Sequence, residues 1–275
     1  MEAHAIIEPE VVDAGTATAR EDDPHALTVD HVRHAIEHEH FAVYSQPIQD
    51  LITGAVASEE LLVRMQMPDG QLVAPVAFLS IAEENGLIAD IDRMMVGKGI
   101  EAARRNRRVS VNLSAHTLTD RGIIQRVEGA VADGLNPRNL SFEISETSAG
   151  TDMDAAAILS MRLTQIGCDL AVDDFGVGYA SLQFVKRLPV ALIKVSREFV
   201  RDLPHSLDDY HVMGSIVDLA RKLGRKTAAV GVEDGLTLEL LRRLGVDYAQ
   251  GFFIGEPHEI DLEVPREIEP AAAVD

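Results

Sequence analysis

The sequence predicts an α/β protein built as a modified (β/α)8 TIM-like barrel with one antiparallel strand. From about residue 100 onward one unit recurs: an amphipathic helix, then Gly, then a short apolar strand. Strands that alternate with helices pair in parallel. Eight candidate strands are spread over roughly 230 residues, and the first two are separated only by the turn QDLITG, which suits antiparallel pairing. An open doubly wound sheet is the alternative. Its dinucleotide fingerprint is missing after the first strand.

The candidate strands, in order, are FAVYSQPI (41–48), AVASEELLVR (55–64), RVSVNLS (108–114), LSFEIS (140–145), DLAVDD (169–174), ALIKV (191–195), KTAAVGV (226–232) and DYAQGFF (247–253). Between the later ones, helical segments end at Gly167, Gly224 and Gly245, each at the left-handed position that stops a helix. In the helix before Gly224, Val212, Ile216, Leu219, Ala220 and Leu223 recur at helical spacing and predict one buried stripe. In HVRHAIEHEH, His31, His34 and His38 share a helix face. With no Cys or carboxylate set beside them, they read as a solvated face rather than a metal site.

Composition bounds what the chain does. Its 275 residues, 46% hydrophobic, supply one substantial core and do not demand two. The net charge is −20; residues 1–25 hold seven acids and one Arg, and 257–275 hold six acids and one Arg. The expected organisation is therefore an acidic, poorly ordered tail over 1–25, one domain over 26–257, and an acidic tail over 258–275. An acidic chain is a poor partner for nucleic acid. An anionic ligand stays compatible where metal ions neutralise the site. There is no run of eighteen apolar residues, no basic leader, and a single cysteine, Cys168. Together these predict no membrane span and a cytoplasmic setting.

In such barrels, chemistry sits at the C-terminal ends of the strands. Those ends read Gln46, Glu60 with Arg64, Asn112, Glu143, Asp173–Asp174, Lys194 and Gln250. A lone acid at a strand end more often caps the next helix. Five oxygen donors at matching ends are harder to explain that way. Oxygen-only donors suit Mg²⁺ or Mn²⁺ rather than structural zinc. Adjacent Asp residues suit bridging of two ions in phosphoester hydrolysis.

With these residues in hand, the chain resembles the EAL domain family, the cyclic di-GMP phosphodiesterases and their degenerate, ligand-sensing relatives. The resemblance is carried by YSQPI, SEELLVRM, PVAFLSIAEENGLI, SVNLSAHTL, FEISET, AVDDFGVGYASL, RLPVALIKV and LGVDYAQGFFIGEP. The eponymous Glu-Ala-Leu is Glu60-Leu61-Leu62 here. The resemblance implies binding of cyclic di-GMP at the barrel mouth and, in active members, two Mg²⁺ or Mn²⁺ ions that drive hydrolysis to pGpG. It implies that Glu60, Asn112, Glu143 and Asp173 hold the first metal, and that Asp173 and Asp174 hold the second. Lys194 matches the lysine at the nucleophilic water, and Glu146 the anchor of the loop at DDFGVGYAS. Gln46, Leu62, Arg64 and Gln250 match nucleotide contacts. A homodimer through the barrel and signalling protein partners are further implications.

The seventh strand departs from the family pattern. The family has Ala-Glu-Gly-Val-Glu, and this chain has Ala229-Val230-Gly231-Val232-Glu233. Val230 lies twenty residues before Gln250, where the family keeps a second-metal glutamate. Ser45, Met65, Val177, Ala180 and Ser196 also replace usual residues. The expectation is a cyclic di-GMP-binding domain with impaired or lost phosphodiesterase activity. The alternatives are an active phosphodiesterase and a pure protein-interaction module.

Overall fold

Strand β1 (Phe41–Asp50) runs antiparallel to β2 (Val56–Gln66) through a near-continuous register from Phe41↔Met65 to Ile48↔Ser58. A computed structural model describes residues 27–178 and 181–262. The further strands are β3 (Leu72–Val73), β4 (Val109–Leu113), β5 (Leu140–Ser145), β6 (Asp169–Phe175), β7 (Leu192–Val195), β8 (Lys226–Val230), β9 (Tyr248–Gln250) and β10 (His258–Glu259). Their order is β10-β1-β9-β8-β7-β6-β5-β4-β2-β3, and the added β1–β2 pairing closes the ring. Strand β1 is antiparallel to both β2 and β9, while β2, β4, β5, β6, β7, β8 and β9 pair in parallel around the rest. This is the predicted modified barrel.

Alternation along each strand sorts the side chains. Leu61, Val63, Val111, Phe142, Ile144, Val172 and Ile193 face outward and are buried under the helical layer. Each such side chain contributes about 1.5–3 kcal/mol by leaving water. The alternate positions face the barrel interior. In the lower half they include the small Ser110, Ser141 and Ala171, and in the upper half they carry the polar groups described below.

Several boundaries differ from the sequence reading. The strand expected over 226–232 ends at Val230, and the one over 247–253 ends at Gln250. The two segments cross there: Val232 N–H donates to the Gln250 carbonyl at 3.0 Å, and Phe253 N–H to the Val232 carbonyl at 3.1 Å. A Cβ on Gly251 would lie 2.2 Å from the Val232 backbone, so only glycine allows this approach. In helix Leu207–Lys222 the buried stripe is Met213, Val217 and Ala220; Val212 and Leu223 are exposed. Apolar residues occupy both 212/213 and 216/217, so spacing alone misplaced the stripe by about one residue.

The first residues of the acidic tail expected over 258–275 belong to the fold. Residues His258–Glu259 form β10 against Tyr44 and Ser45, and Ile260 and Leu262 pack into the core. The remainder of that tail, 263–275, and the tail expected over 1–25 lie outside the described residues. No helix among the described residues is long and apolar enough to cross a membrane.

Candidate active site at the barrel mouth

Lys194 organises the mouth. It lies on the inner face of β7, fully buried, and its Nζ donates to Glu60 Oε2 at 2.7 Å and to a Glu143 carboxylate oxygen. Asp173 Oδ1 stands 3.6 Å from the same Nζ. Glu60 is held further by Asn112 Nδ2 and Gln250 Nε2, each at 2.7 Å, and Gln250 Nε2 also donates to Gln46 Oε1 at 3.1 Å. Gln46 in turn donates to the Gly255 carbonyl. Barrel closure explains the convergence: Gln46↔Glu60, Glu60↔Ser110 and Asn112↔Glu143 are register neighbours, and Lys194 pairs level with Ala228.

The electrostatics follow from burial. Desolvation disfavours charge on Glu60, but the Lys194 ammonium and the bonds from Gln250 and Asn112 outweigh it and lower its pKa. Glu143 has less support; burial and then the Glu60 charge push it up to about 8. Lys194 keeps its proton, because the surrounding carboxylates overcome the cost of burial.

The adjacent aspartates present a geometric problem, since neighbours on a strand face opposite ways. The backbone solves it with an irregularity. Register slips between Val172↔Ile193 and Phe175↔Val195, and Asp174 takes a left-handed φ of +51°. Asp is among the few residues that tolerate this conformation. Asp173 faces Lys194, and Asp174 is exposed at the rim.

Glu146 sits just beyond β5, buried, at the start of helix Glu146–Thr151. Its Oε2 accepts from Gly176 N–H at 2.8 Å and Gly178 N–H at 3.2 Å, which ties down the loop after Asp174. A Cβ on Gly178 would come within 2.5 Å of Glu146 Oε1, so glycine is needed for the contact. Of the loop departures, Val177 is exposed and Ala180 lies outside the described residues. Leu62 and Arg64 continue the inner face of β2 above Glu60. The Arg64 guanidinium lies 5.4 Å from the Tyr44 ring centroid, a cation–π arrangement.

Helix capping is done by other residues. Ser145, Ser196 and Asp234 cap the helices after β5, β7 and β8, leaving Glu143 and Lys194 free of that duty. Two supporting residues had escaped the sequence reading. Tyr44 positions Arg64, and buried Asp92 accepts from Ser114 N–H, Ser114 Oγ and Thr117 Oγ1, which fixes the turn after Asn112. Asp92 had a signal: it sits at apolar-stripe spacing from Ile88, Met95 and Val96.

The donor set has the chemistry of a hard-cation site. The carboxylates and carboxamides are all oxygen ligands, and Asp173 Oδ1 and Gln250 Oε1 are buried without a hydrogen-bond partner. That chemistry fits Mg²⁺ or Mn²⁺. Among the described residues, no three His, Cys, Asp or Glu side chains are assembled in ion-holding geometry, and Lys194 fills the space between the carboxylates. Of the helix histidines, His34 and His38 are exposed, with ring centroids 4.0 Å apart, and His31 is half-buried.

Comparison with known proteins agrees with this geometry. The family model described as EAL domain matches residues 29–257. The bifunctional diguanylate cyclase/cyclic di-GMP phosphodiesterase MucR of Pseudomonas aeruginosa is 33% identical over 234 residues, covering 82% of this chain and 34% of MucR. The cyclic di-GMP phosphodiesterase PdeF of Escherichia coli is 33% identical over 246 residues, covering 87% and 32%. This chain thus spans about a third of the length of these relatives. A solved MucR phosphodiesterase–c-di-GMP complex superimposes with a TM-score of 0.77 at 33% identity, covering 84% of this chain and 97% of that one. The EAL domain of FimX from Pseudomonas aeruginosa, bound to c-di-GMP, gives 0.78 at 28% identity, covering 83% and 95%. The chain belongs to the EAL domain family.

Proposed function

We propose that this EAL domain binds cyclic di-GMP at the barrel mouth with impaired or lost phosphodiesterase activity. The observation that carries the impairment is the end of β8. Val230 is the register partner of Gln250 and shares its inward parity, so an apolar group stands where the family pattern puts a metal-binding carboxylate. Glu233 does not compensate; it is exposed and pairs with Arg197 at 3.3 Å on the following turn.

In this reading Arg64 takes a phosphate of the ligand through charge-assisted bonds. Gln46, Leu62 and Gln250 line the nucleotide. Glu60, Asn112, Glu143 and Asp173 would hold a first Mg²⁺ or Mn²⁺, and Asp173 with Asp174 a second. Such ions supply Lewis-acid polarisation of the phosphodiester and an acidified water. Lys194, which bonds Glu143 and faces Asp173, would stand beside such an ion, where its ammonium would orient a water. Glu146 holds the rim loop through the Gly176 and Gly178 N–H groups.

The second reading, an active phosphodiesterase yielding pGpG, is favoured by the complete first donor set. The test compares parent and Val230→Glu for pGpG formation with Mn²⁺. The expected rise is at least about tenfold, equivalent to about 1.4 kcal/mol of transition-state stabilisation. Brisk turnover by the parent with no gain in the variant gives the lead to the active enzyme. Calorimetry with cyclic di-GMP tests binding itself, and no heat of binding would leave the protein-interaction module. Sedimentation tests the homodimer.

A further inference from the structure

The opposite end of the barrel is incompletely filled. Barrel interiors of this class are filled by layers of bulky branched side chains. Here the inward positions below the mouth mix the small Ser58, Ser110, Ser141 and Ala171 with Ile48, Leu192 and Tyr248, and a cavity of about 190 Å³ opens at the N-terminal ends of the strands. Glu143 forms its roof and is bonded from above by Lys194. Ser110 is almost wholly buried, lines this cavity, and its Oγ has no hydrogen-bond partner. A buried hydroxyl left unmatched costs free energy, so the cavity favours a polar occupant.

The entrance decides the sign of that occupant. Arg108, Arg138 and Lys226 line it against one exposed carboxylate, Asp169. Lys226 is engaged by Asp247. Among the described residues, the Arg108 and Arg138 guanidiniums have no carboxylate partner. Two uncommitted guanidiniums at one opening run against the trend of a chain carrying −20. The volume is below the roughly 300–1,000 Å³ of drug-sized sites, so a nucleotide does not fit.

We propose that this lower cavity is a second ligand site, distinct from the mouth, that takes a small phosphate-type oxyanion. Arg108 and Arg138 draw the anion in and grip it through charge-assisted bonds, and the Ser110 hydroxyl donates from within. The occupant is free phosphate or the head of a small phosphate ester.

The test is thermal stabilisation of the full chain by inorganic phosphate and, separately, glycerol 3-phosphate, against chloride at matched ionic strength. Saturable stabilisation is expected, with at least about tenfold weaker apparent affinity in Arg108→Gln/Arg138→Gln. Ser110→Val, which narrows the cavity and removes the donor, should weaken it as well. Arg64→Ala, which alters only the mouth, should leave it intact. Tighter binding of the ester than of phosphate assigns the ester, and the reverse assigns the free ion. The proposal is overturned by absence of saturable stabilisation, by equal stabilisation of the double variant, or by loss of the effect in Arg64→Ala.

Discussion

Replacing Lys194 with Met removes the only cation among Glu60, Glu143 and Asp173 while keeping most of the side-chain volume. Deleting one partner of a buried pair typically costs about 3–5 kcal/mol, because the remaining charge is left uncompensated. For a domain of this size each kcal/mol lowers Tm by about 2–4 °C, so the expected fall is about 6–20 °C. The loss depends on pH. Without the ammonium the carboxylate pKa values rise further, so the folded protein takes up protons that the unfolded chain does not hold. The deficit is therefore largest near about pH 8 and shrinks toward about pH 5. Mg²⁺ or Mn²⁺ should restore more stability to the variant than to the parent, since the ion no longer competes with an ammonium. Circular dichroism melts at both pH values, with and without the ion, measure all of this. A variant as stable as the parent near pH 8 refutes the claim that Lys194 compensates the buried charge.

Glu143 titrates near 8 in the folded protein against 4.5 for an ordinary carboxyl, so its contribution to stability is full below the lower value and is lost as pH rises through the higher. Glu143→Gln should flatten the decline of Tm across that window, and an unchanged slope would remove Glu143 as its source. Arg64→Ala should weaken cyclic di-GMP binding at least about tenfold in calorimetry, the loss of a charge-assisted contact; unaltered affinity would reject the binding pose. Asp92→Ala removes the shared acceptor of Ser114 N–H, Ser114 Oγ and Thr117 Oγ1 and should cost about 1–3 kcal/mol in urea unfolding, whereas a cost near zero would mean the turn after Asn112 is held by other contacts. Burial pushes the Cys168 thiol up to about 12, so it should resist thiol reagents until the protein unfolds. Rapid labelling of the native protein would contradict the packing around it.

All eight barrel strands were legible because periodicity and short connections are local properties. The two-residue strands β3 and β10 were not, since so short a pairing leaves no pattern in the sequence. The rotation of the stripe in helix Leu207–Lys222 was also hidden, because two overlapping apolar rows compete there and the neighbouring strand and helices choose between them. The inward charges were legible from parity alone. Which of them touch was not, because contact between Lys194 and Glu60 depends on the ring closing with three strands between them on either side.

The Asp173–Asp174 pair shows where sequence reasoning stops and what completes it. Two acids in succession predict one facing the barrel and one facing the helical layer, where a carboxylate would be buried without a partner. A left-handed Asp174 and a one-step slip against β7 avoid that cost by turning the second carboxylate to the rim and sending Phe175 into the core. The slip is possible because the next residue, Gly176, also adopts positive φ, at +105°, and its N–H is taken up by Glu146. The strained strand end, the glycine turn and the buried glutamate therefore act as one unit. Disturbing Glu146 should move Asp174 before it moves Asp173, since Asp173 is still placed by its parity on β6 and by the nearby Lys194 ammonium.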